Sequence, residues 1–320
     1  MRHEVGVGIE AHNSYAARRW VGGDATHSDE TVAEEVPVAL VYNGISYAVM
    51  LATPLDLEDF ALGFSLSECI VGHSGEIHDL EIVERDNGIE VQMQLAAPRA
   101  RALKEQRRTL AGRTGCGLCG TASLDQLARR AITVESSAVL SREALPRALA
   151  LKEHRRTLVG RTGCGLCGTE SLDQLARRAV TVQSSVVLSR AALPHALSML
   201  QGMQHLFHLT GAVHGAAWCD VDGRIDLVRE DVGRHNALDK LIGSLAQRRD
   251  RFDRGFVLMT SRASYELVQK AAAVGIAVVA AVSAPTGMAV RVATDSGLTL
   301  IGFVRGERFC VYSHPERVLH

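Results

Sequence analysis

Apolar patterning in this chain begins at Val36. Residues 1–35 carry polar, charged and Gly-containing stretches without apolar periodicity, and read as a mostly flexible arm. Residues 36–42 and 45–52 are β-rich runs joined by Asn43-Gly44, a dipeptide suited to the two positive φ values of a type I′ hairpin turn. Thr53 with Pro54 behind it predicts a helix start, with Leu57, Phe60, Ala61, Phe64 and Leu66 on its apolar face and an end near Ile70. A second strand pair is expected over 77–84 and 89–95 around Asn87-Gly88, with Ile89, Val91, Met93 and Leu95 on one face. In the C-terminal part, 216–221 and 224–228 flank Asp222-Gly223 as a hairpin, and 233–246 is an amphipathic helix. Nearly continuous apolar strands at 256–260, 276–283 and 298–304 then alternate with helices at 265–273 and 286–293, with a further strand at 309–313. Such strands imply a parallel arrangement covered on both faces.

Between these two patterns a block of about 48 residues occurs twice in succession, as 102–149 and 150–197. The copies differ at positions such as Gln106/His154, Ala111/Val159, Ala122/Glu170 and Arg147/His195, which indicates a recent tandem duplication. Two units fall short of the three or so that a solenoid needs. Each copy predicts a helix before and after a loop reading Arg-Thr-Gly-Cys-Gly-Leu-Cys-Gly, at 113–120 and 161–168. Ser141 and Ser189 are placed to cap further helices, the second continuing through Ala196, Leu200 and Leu206 towards Thr210-Gly211. The expected organisation is therefore α/β: an arm (1–35), a small α+β domain (36–98), the duplicated segment (99–197) and a C-terminal α/β domain (198–320).

Composition changes this picture little. At 320 residues, 47% hydrophobic and 22% charged, the chain can bury a sizeable core, and a formal charge of −1 argues against a globally basic nucleic-acid binder. The apolar run 271–290 is broken by Gly275, Ser283, Pro285 and Gly287, so a buried helix–strand–helix passage is expected rather than a membrane span. Seven cysteines without a signal-like N-terminus point to a cytoplasmic, reducing setting, where paired cysteines are catalytic or metal-binding more often than bridged.

The candidate chemistry lies in the paired cysteines. Thiols at i and i+3 surrounded by glycines have little steric cover, and Arg155, Arg156, Arg161, Arg177 and Arg178 surround the second pair as Arg107, Arg108, Arg113, Arg129 and Arg130 surround the first. Positive charge stabilises the nucleophilic thiolate, and a helix starting near Ser123 or Ser171 acts in the same sense. Buried small hydrophobes would be poorly served by such surroundings. Zinc held by two Cys-x-x-Cys knuckles is the serious rival, but about 44 residues separate them, against a usual spacing of about 15 to 20. A dithiol oxidoreductase would place the motif just after a strand, which is not the pattern here. Covalent sulfur transfer is the leading reading.

Further segments carry a resemblance: Glu34-Glu35-Val36-Pro37-Val38 onward to Asn43-Gly44, Phe60-Ala61-Leu62-Gly63-Phe64, Gly112 to Gly120, Leu209-Thr210-Gly211 and His214-Gly215-Ala216-Ala217-Trp218. Glu230-Asp231-Val232-Gly233-Arg234-His235-Asn236 and Ser261-Arg262-Ala263-Ser264-Tyr265-Glu266 complete it. With them the chain resembles the formate dehydrogenase accessory sulfurtransferase family, often called FdhD, over nearly all of its ordered length. The resemblance implies a carrier that takes sulfur as a cysteine persulfide from a cysteine desulfurase. It then passes that sulfur to the molybdenum cofactor, in its bis-molybdopterin guanine dinucleotide form, before insertion into formate dehydrogenase. It further implies a C-terminal layer similar to cytidine deaminases, although their zinc signature is not evident, and it is compatible with a homodimer. The family's persulfide carrier is the first cysteine of the motif, here Cys164 or Cys116, with Cys167 and Cys119 as auxiliary thiols. Cys164 is favoured because its distance to the α/β domain is the family-like one, yet the sequence admits either copy. The alternative, motivated by the paired Cys-x-x-Cys knuckles, is a zinc-stabilised binding module that scaffolds formate dehydrogenase assembly.

An acceptor with several phosphates and two guanines calls for arginine and backbone N–H groups outside the carboxyl ends of the strands. Phe303, Val304, Arg305, Gly306, Glu307 and Arg308 supply two arginines, a glycine and a carboxylate able to pair with guanine, and they match the family's cofactor-binding stretch. Without the resemblance they read as a solvated turn. Ser261-Arg262 is a second-tier candidate. His214 and His235 read as packed or hydrogen-bonded residues, Asp231 and Asp239 suit capping or pairing on their helix as well as they suit chemistry, and Cys69 and Cys310 read as buried packing.

Overall fold

A computed structural model describes residues 8–21, 24–99, 103 and 181–319 of the chain. Strands β3 (Val36–Tyr42) and β4 (Ile45–Ala52) pair antiparallel through Asn43 and Gly44, whose φ values of 49° and 75° are the two positive ones a type I′ turn requires. β5 (Ile77–Arg85) and β6 (Gly88–Leu95) form the second pair. β6 lies parallel to β3, completing a four-stranded sheet in the order β4-β3-β6-β5. The period-two face of β6 holds: Ile89, Val91, Met93 and Leu95 are all buried.

Helix α1 (Leu57–Ser67) packs on this sheet, with Tyr42 and Ser65 hydroxyls 2.8 Å apart and Tyr47, Phe64 and Phe60 in edge contact. It starts later than the Thr53-Pro54 signal suggested. Thr53 is used elsewhere: its N–H donates to Asp231, its hydroxyl accepts from Val232 and its carbonyl accepts from Lys240. The helix opens instead behind Asp56, in the left-handed region at φ 53°. It ends at Ser67, not Ile70, because Ile70 and Val71 both donate back to the Ser65 carbonyl.

Residues 1–35 are not simply an arm. β1 (His12–Val21) and β2 (Asp24–Ala33) form an antiparallel ribbon, held by its ladder, by Arg19 donating two hydrogen bonds to Glu30, and by the Tyr15 hydroxyl donating to Glu34. Its side chains are largely exposed, so no apolar alternation marks it in the sequence.

The C-terminal part is a six-stranded sheet in the order β12-β11-β10-β9-β7-β8. Its strands are β7 (His214–Asp220), β8 (Ile225–Asp231), β9 (Gly255–Met259), β10 (Val278–Ala281), β11 (Thr299–Arg305) and β12 (Arg308–Val311). β9, β10 and β11 run parallel, as their apolar composition predicts, and every residue of β9 and β10 is buried. β7, β8 and β12 are antiparallel to their neighbours. The helices are α2 (Ala192–Met203), α3 (His205–Thr210), α4 (Arg234–Gln247), α5 (Tyr265–Ala273) and α6 (Gly287–Ser296). The single helix expected behind Ser189 is broken at Gln204 (φ −89°, ψ 80°), and the Glu230 carboxylate accepts from the freed Leu206 and Phe207 N–H groups. Ser189 donates its N–H to Val221 and does not cap α2 through its side chain.

One hydrophobic core runs through both sheets. α1 crosses α4 at two glycines: a Cβ on Gly63 would lie 1.7 Å from the Asp239 carbonyl oxygen, and one on Gly243 1.9 Å from that of Asp59. Lys270 reaches Asp239 and Ser67 across the same interface, and Arg229 reaches Asp59. Leu103, in the first copy, is buried in this core, as are Val182, Val186, Leu188 and Leu193 from the tail of the second copy.

Candidate functional site

The sheet topology gathers one set of segments at the carboxyl ends of β9, β10 and β11. The loop after β9 meets the loop after β10 through the Ala263–Pro285 bridge and the Thr286 N–H to the Ala263 carbonyl. The loop after β10 meets β11 where Phe303 donates its N–H to Ser283. The start of β7 and the end of β8 lie at the same edge, with His214 paired to Asp231 and Thr260 donating its N–H to Gly215.

β11 ends irregularly. Its pairing with β12 shifts register between Gly302 and Arg305, and Phe303 takes a positive φ of 55°, which is strained for an aromatic residue. The Phe303 ring is thereby half-exposed and carries the Arg305 guanidinium 5.7 Å from its centroid. Arg305 pairs with Arg308, so Gly306 and Glu307 form the two-residue turn, and Gly306 (φ 57°) occupies a conformation that favours glycine. This segment borders a cleft of about 880 Å³ lined by Phe303, Arg305, Glu307, Arg308, Phe309 and Cys310 together with Arg190, Ala191 and Pro194. Of the six residues expected to bind the acceptor, Phe303, Arg305, Glu307 and Arg308 line the cleft, Gly306 shapes the turn and Val304 is buried.

Among the described residues, Arg190, Arg305 and Arg308 form no ion pair with a carboxylate, so three guanidiniums and one carboxylate, Glu307, meet in the cleft. The arrangement suits a ligand with several anionic oxygens and a planar ring. Arg190, Ala191, Pro194 and Phe309 were not singled out by the sequence, which read Cys310 only as packing. Their signal is tertiary: the parallel bridge of Leu188 with Val318 brings the tail of the second copy to the last strands.

Cys116, Cys119, Cys164 and Cys167 lie outside the described residues. The other cysteines correct one expectation. Cys69 and Cys310 are exposed, Cys69 because the chain turns there at φ 56° and Cys310 because it lies on an edge strand beside the cleft. Cys219 is buried in β7, where desolvation, then Asp220, raises its thiol pKa.

The second-tier pair sits apart from the cleft lining: Ser261 is buried with its hydroxyl donating to the Arg262 carbonyl, while Arg262 is exposed. His235 is held by Glu266 at 2.6 Å and by the Ser264 hydroxyl at 3.3 Å, and α4 starts there without a side-chain cap. His214 is half-buried, and burial, followed by the charges of Arg234 and His235, lowers its pKa. Asp231 and Asp239 are paired between elements and not within one helix, Asp231 of β8 with Lys240 of α4 at 2.7 Å and Asp239 of α4 with Lys270 of α5 at 2.9 Å. Among the described residues no group of three or more His, Cys, Asp or Glu side chains could hold a metal ion, and no helix is long and apolar enough to cross a membrane.

Comparison with known proteins gives a consistent picture. A model of the FdhD/NarQ family matches residues 33–151 and, again, 135–319. A protein of Cupriavidus necator named sulfur carrier protein FdhD is 47% identical over 309 residues, covering 97% of this chain and 91% of that protein. One of the same name from Bordetella petrii is 45% identical over 301 residues, covering 94% and 91%. A crystal structure of a formate dehydrogenase accessory protein from Desulfotalea psychrophila shares the mixed α/β fold, with a TM-score of 0.66 at 22% identity, over 97% of this chain and all of that one.

Proposed function

This chain belongs to the FdhD/NarQ family, and on that premise we propose that it carries sulfur as a cysteine persulfide to the bis-molybdopterin guanine dinucleotide form of the molybdenum cofactor, before that cofactor enters formate dehydrogenase. A loop thiolate attacks the outer sulfur of a cysteine desulfurase persulfide. The new S–S bond leaves Cys-S-SH on this chain and returns a thiolate to the donor. The carrier's S–S bond then breaks, the loop cysteine leaves as thiolate, and the outer sulfur goes to the molybdenum centre, a substrate here and not a resident group, whose electron pair takes it to the sulfide level.

The observation that carries this reading is the cleft. Arg305 and Arg308 supply charge for phosphate, Phe303 with its stacked Arg305 offers a planar platform, and the Glu307 carboxylate is placed to accept guanine N–H groups. A C-terminal layer like that of cytidine deaminases is supported by the strand order, in which β7 sits between antiparallel β8 and β9 and the parallel strands come next. Cys164 remains the favoured carrier, a cytoplasmic setting accords with the thiol chemistry, and formate dehydrogenase is the client.

The test is intact mass after incubation with a cysteine desulfurase and cysteine. A one-sulfur adduct that reductant removes, and that disappears in the Cys116→Ser/Cys164→Ser double variant, is the expected result. An adduct that survives with all four loop cysteines replaced by serine, or no adduct at all, refutes the carrier. About one tightly held zinc per purified chain, with no adduct, would establish the scaffold reading instead.

A further inference from the structure

Two stretches of chain line the cleft, and only one is the β11–β12 segment. The other is Arg190, Ala191 and Pro194, from the last residues of the second copy. This stretch is fixed on both sides. Leu188 donates its N–H to the Arg317 carbonyl and accepts from the Leu319 N–H, and Ser189 donates to Val221. Beyond it, Ala192 and Leu193 are fully buried, and the Ala192 backbone lies against Gly223 so closely that a Cβ there would come within 2.1 Å of the Ala192 oxygen. Arg190 and Ala191 are the exposed residues between these anchors.

We propose that this wall is an anion half-site for the phosphates of the guanine nucleotide moiety, and that the second copy alone is built to supply it. The inference rests on the guanine-nucleotide reading of the cleft given above. Arg190 faces a cavity whose other guanidiniums lack carboxylate partners among the described residues, which is the charge pattern of a phosphate clamp and not of a self-neutralised surface. The first copy repeats the arginine as Arg142 and the proline as Pro146, but carries Glu143 where the second has Ala191. On this wall a glutamate would put a carboxylate beside Arg190, where it would compensate the guanidinium and repel phosphate. Ala191 is thus a specificity-determining position, and the 48-residue copies are not equivalent at the acceptor site although their cysteine loops are identical.

The experiment is calorimetric titration of the full chain with GDP, and with guanosine as the phosphate-free probe, at one fixed ionic strength. Arg190→Ala and Ala191→Glu are each expected to weaken GDP about tenfold, the scale of one lost charge-assisted contact, while leaving guanosine within about twofold. Arg142→Ala is expected to bind both probes like the unaltered chain. Both altered wall positions are exposed, so unchanged thermal unfolding is expected of each variant. GDP affinity unchanged by Arg190→Ala, an equal loss in Arg142→Ala, or an equal loss of guanosine in Arg190→Ala overturns the half-site. Arg305→Ala separates the two levels. If it or the unaltered chain shows that GDP does not use the cleft, the nucleotide reading fails and the half-site with it. If Arg305→Ala weakens GDP while Arg190→Ala does not, only the half-site is wrong.

Discussion

Asp231 joins the two halves of the molecule. Its side chain and that of Lys240 are both fully buried, 2.7 Å apart. The carboxylate also accepts from the Thr53 N–H at 3.0 Å, the Gly233 N–H at 2.7 Å and the Asn236 side-chain amide at 2.9 Å, while Lys240 donates to the Thr53 carbonyl at 3.0 Å. Asp231→Asn keeps the shape but removes the charge that compensates the Lys240 ammonium and turns an N–H₂ toward donors that need an acceptor. Breaking a buried pair from one side costs about 3–5 kcal/mol, a large share of a typical folding stability of about 5–15 kcal/mol. Lys240→Met is expected to cost less, about 1–3 kcal/mol, because three donors still surround the remaining carboxylate. The double variant should fall short of the sum by about 1 kcal/mol or more, since the second change removes the charge stranded by the first. Urea unfolding followed by circular dichroism reads all three. Additivity within about 0.5 kcal/mol, or Lys240→Met costing more than Asp231→Asn, would refute the hub.

The helix crossing is equally exposed to test: Gly243→Ala puts a Cβ 1.9 Å from the Asp59 oxygen and should cost about 1–3 kcal/mol or more, whereas Gly202→Ala, in α2 with open space around it, should stabilise by up to about 1 kcal/mol in the same unfolding assay. Glu307→Ala should lower the preference for GDP over ADP about tenfold in competition titrations; an unchanged ratio removes Glu307 from base recognition. For His214, whose folded pKa lies below its unfolded value near 6.5, the unfolded chain takes up the proton more readily, so the stability it contributes is present above that value and is lost as pH falls through the folded pKa. His214→Gln should therefore flatten the fall in urea midpoint between about pH 7 and 5, and an unaltered slope would show that its burial has no such effect. Deleting 150–197 places Ala138 where buried Val186 now packs and should yield a chain about 1.5 kcal/mol less stable than deletion of 102–149; equal stabilities would mean that the site relaxes fully.

Much of the C-terminal sheet was legible because β9, β10 and the first four residues of β11 are short, largely apolar runs buried on both faces, a pattern that composition records directly. The Asn43-Gly44 turn was legible because its chemistry is local. The features that escaped depend on partners distant in sequence. Thr53 looks like a helix cap until Asp231 and Lys240 take up its backbone. The helix after Ser189 looks continuous until Glu230 accepts from the α3 N–H groups. The ribbon of β1 and β2 is wet on much of its surface, so period-two burial never enters its sequence. At the candidate site, one wall could be named from the residues after a predicted strand, as the ends of parallel strands are where ligands sit. The lining residues from the second copy depend on the Leu188–Val318 bridge, for which no local pattern exists.

That division bears on how the two copies are to be distinguished. The loops at 113–120 and 161–168 are the same eight residues, with arginines at equivalent places before and after them, although the second copy carries Glu170 where the first has Ala122. The eight loop residues themselves cannot then assign the working cysteine, and exchanging one loop for the other changes nothing in the chain. The tails do differ where they meet the fold: Val186 is buried and Ala191 lines the cleft, while the first copy offers Ala138 and Glu143 at those positions. On the proposed half-site, selection between copies acts through packing and acceptor binding, downstream of the cysteines, and it favours the loop whose own tail forms the cleft wall. Cys164 is then preferred over Cys116 for the tail its loop leads into.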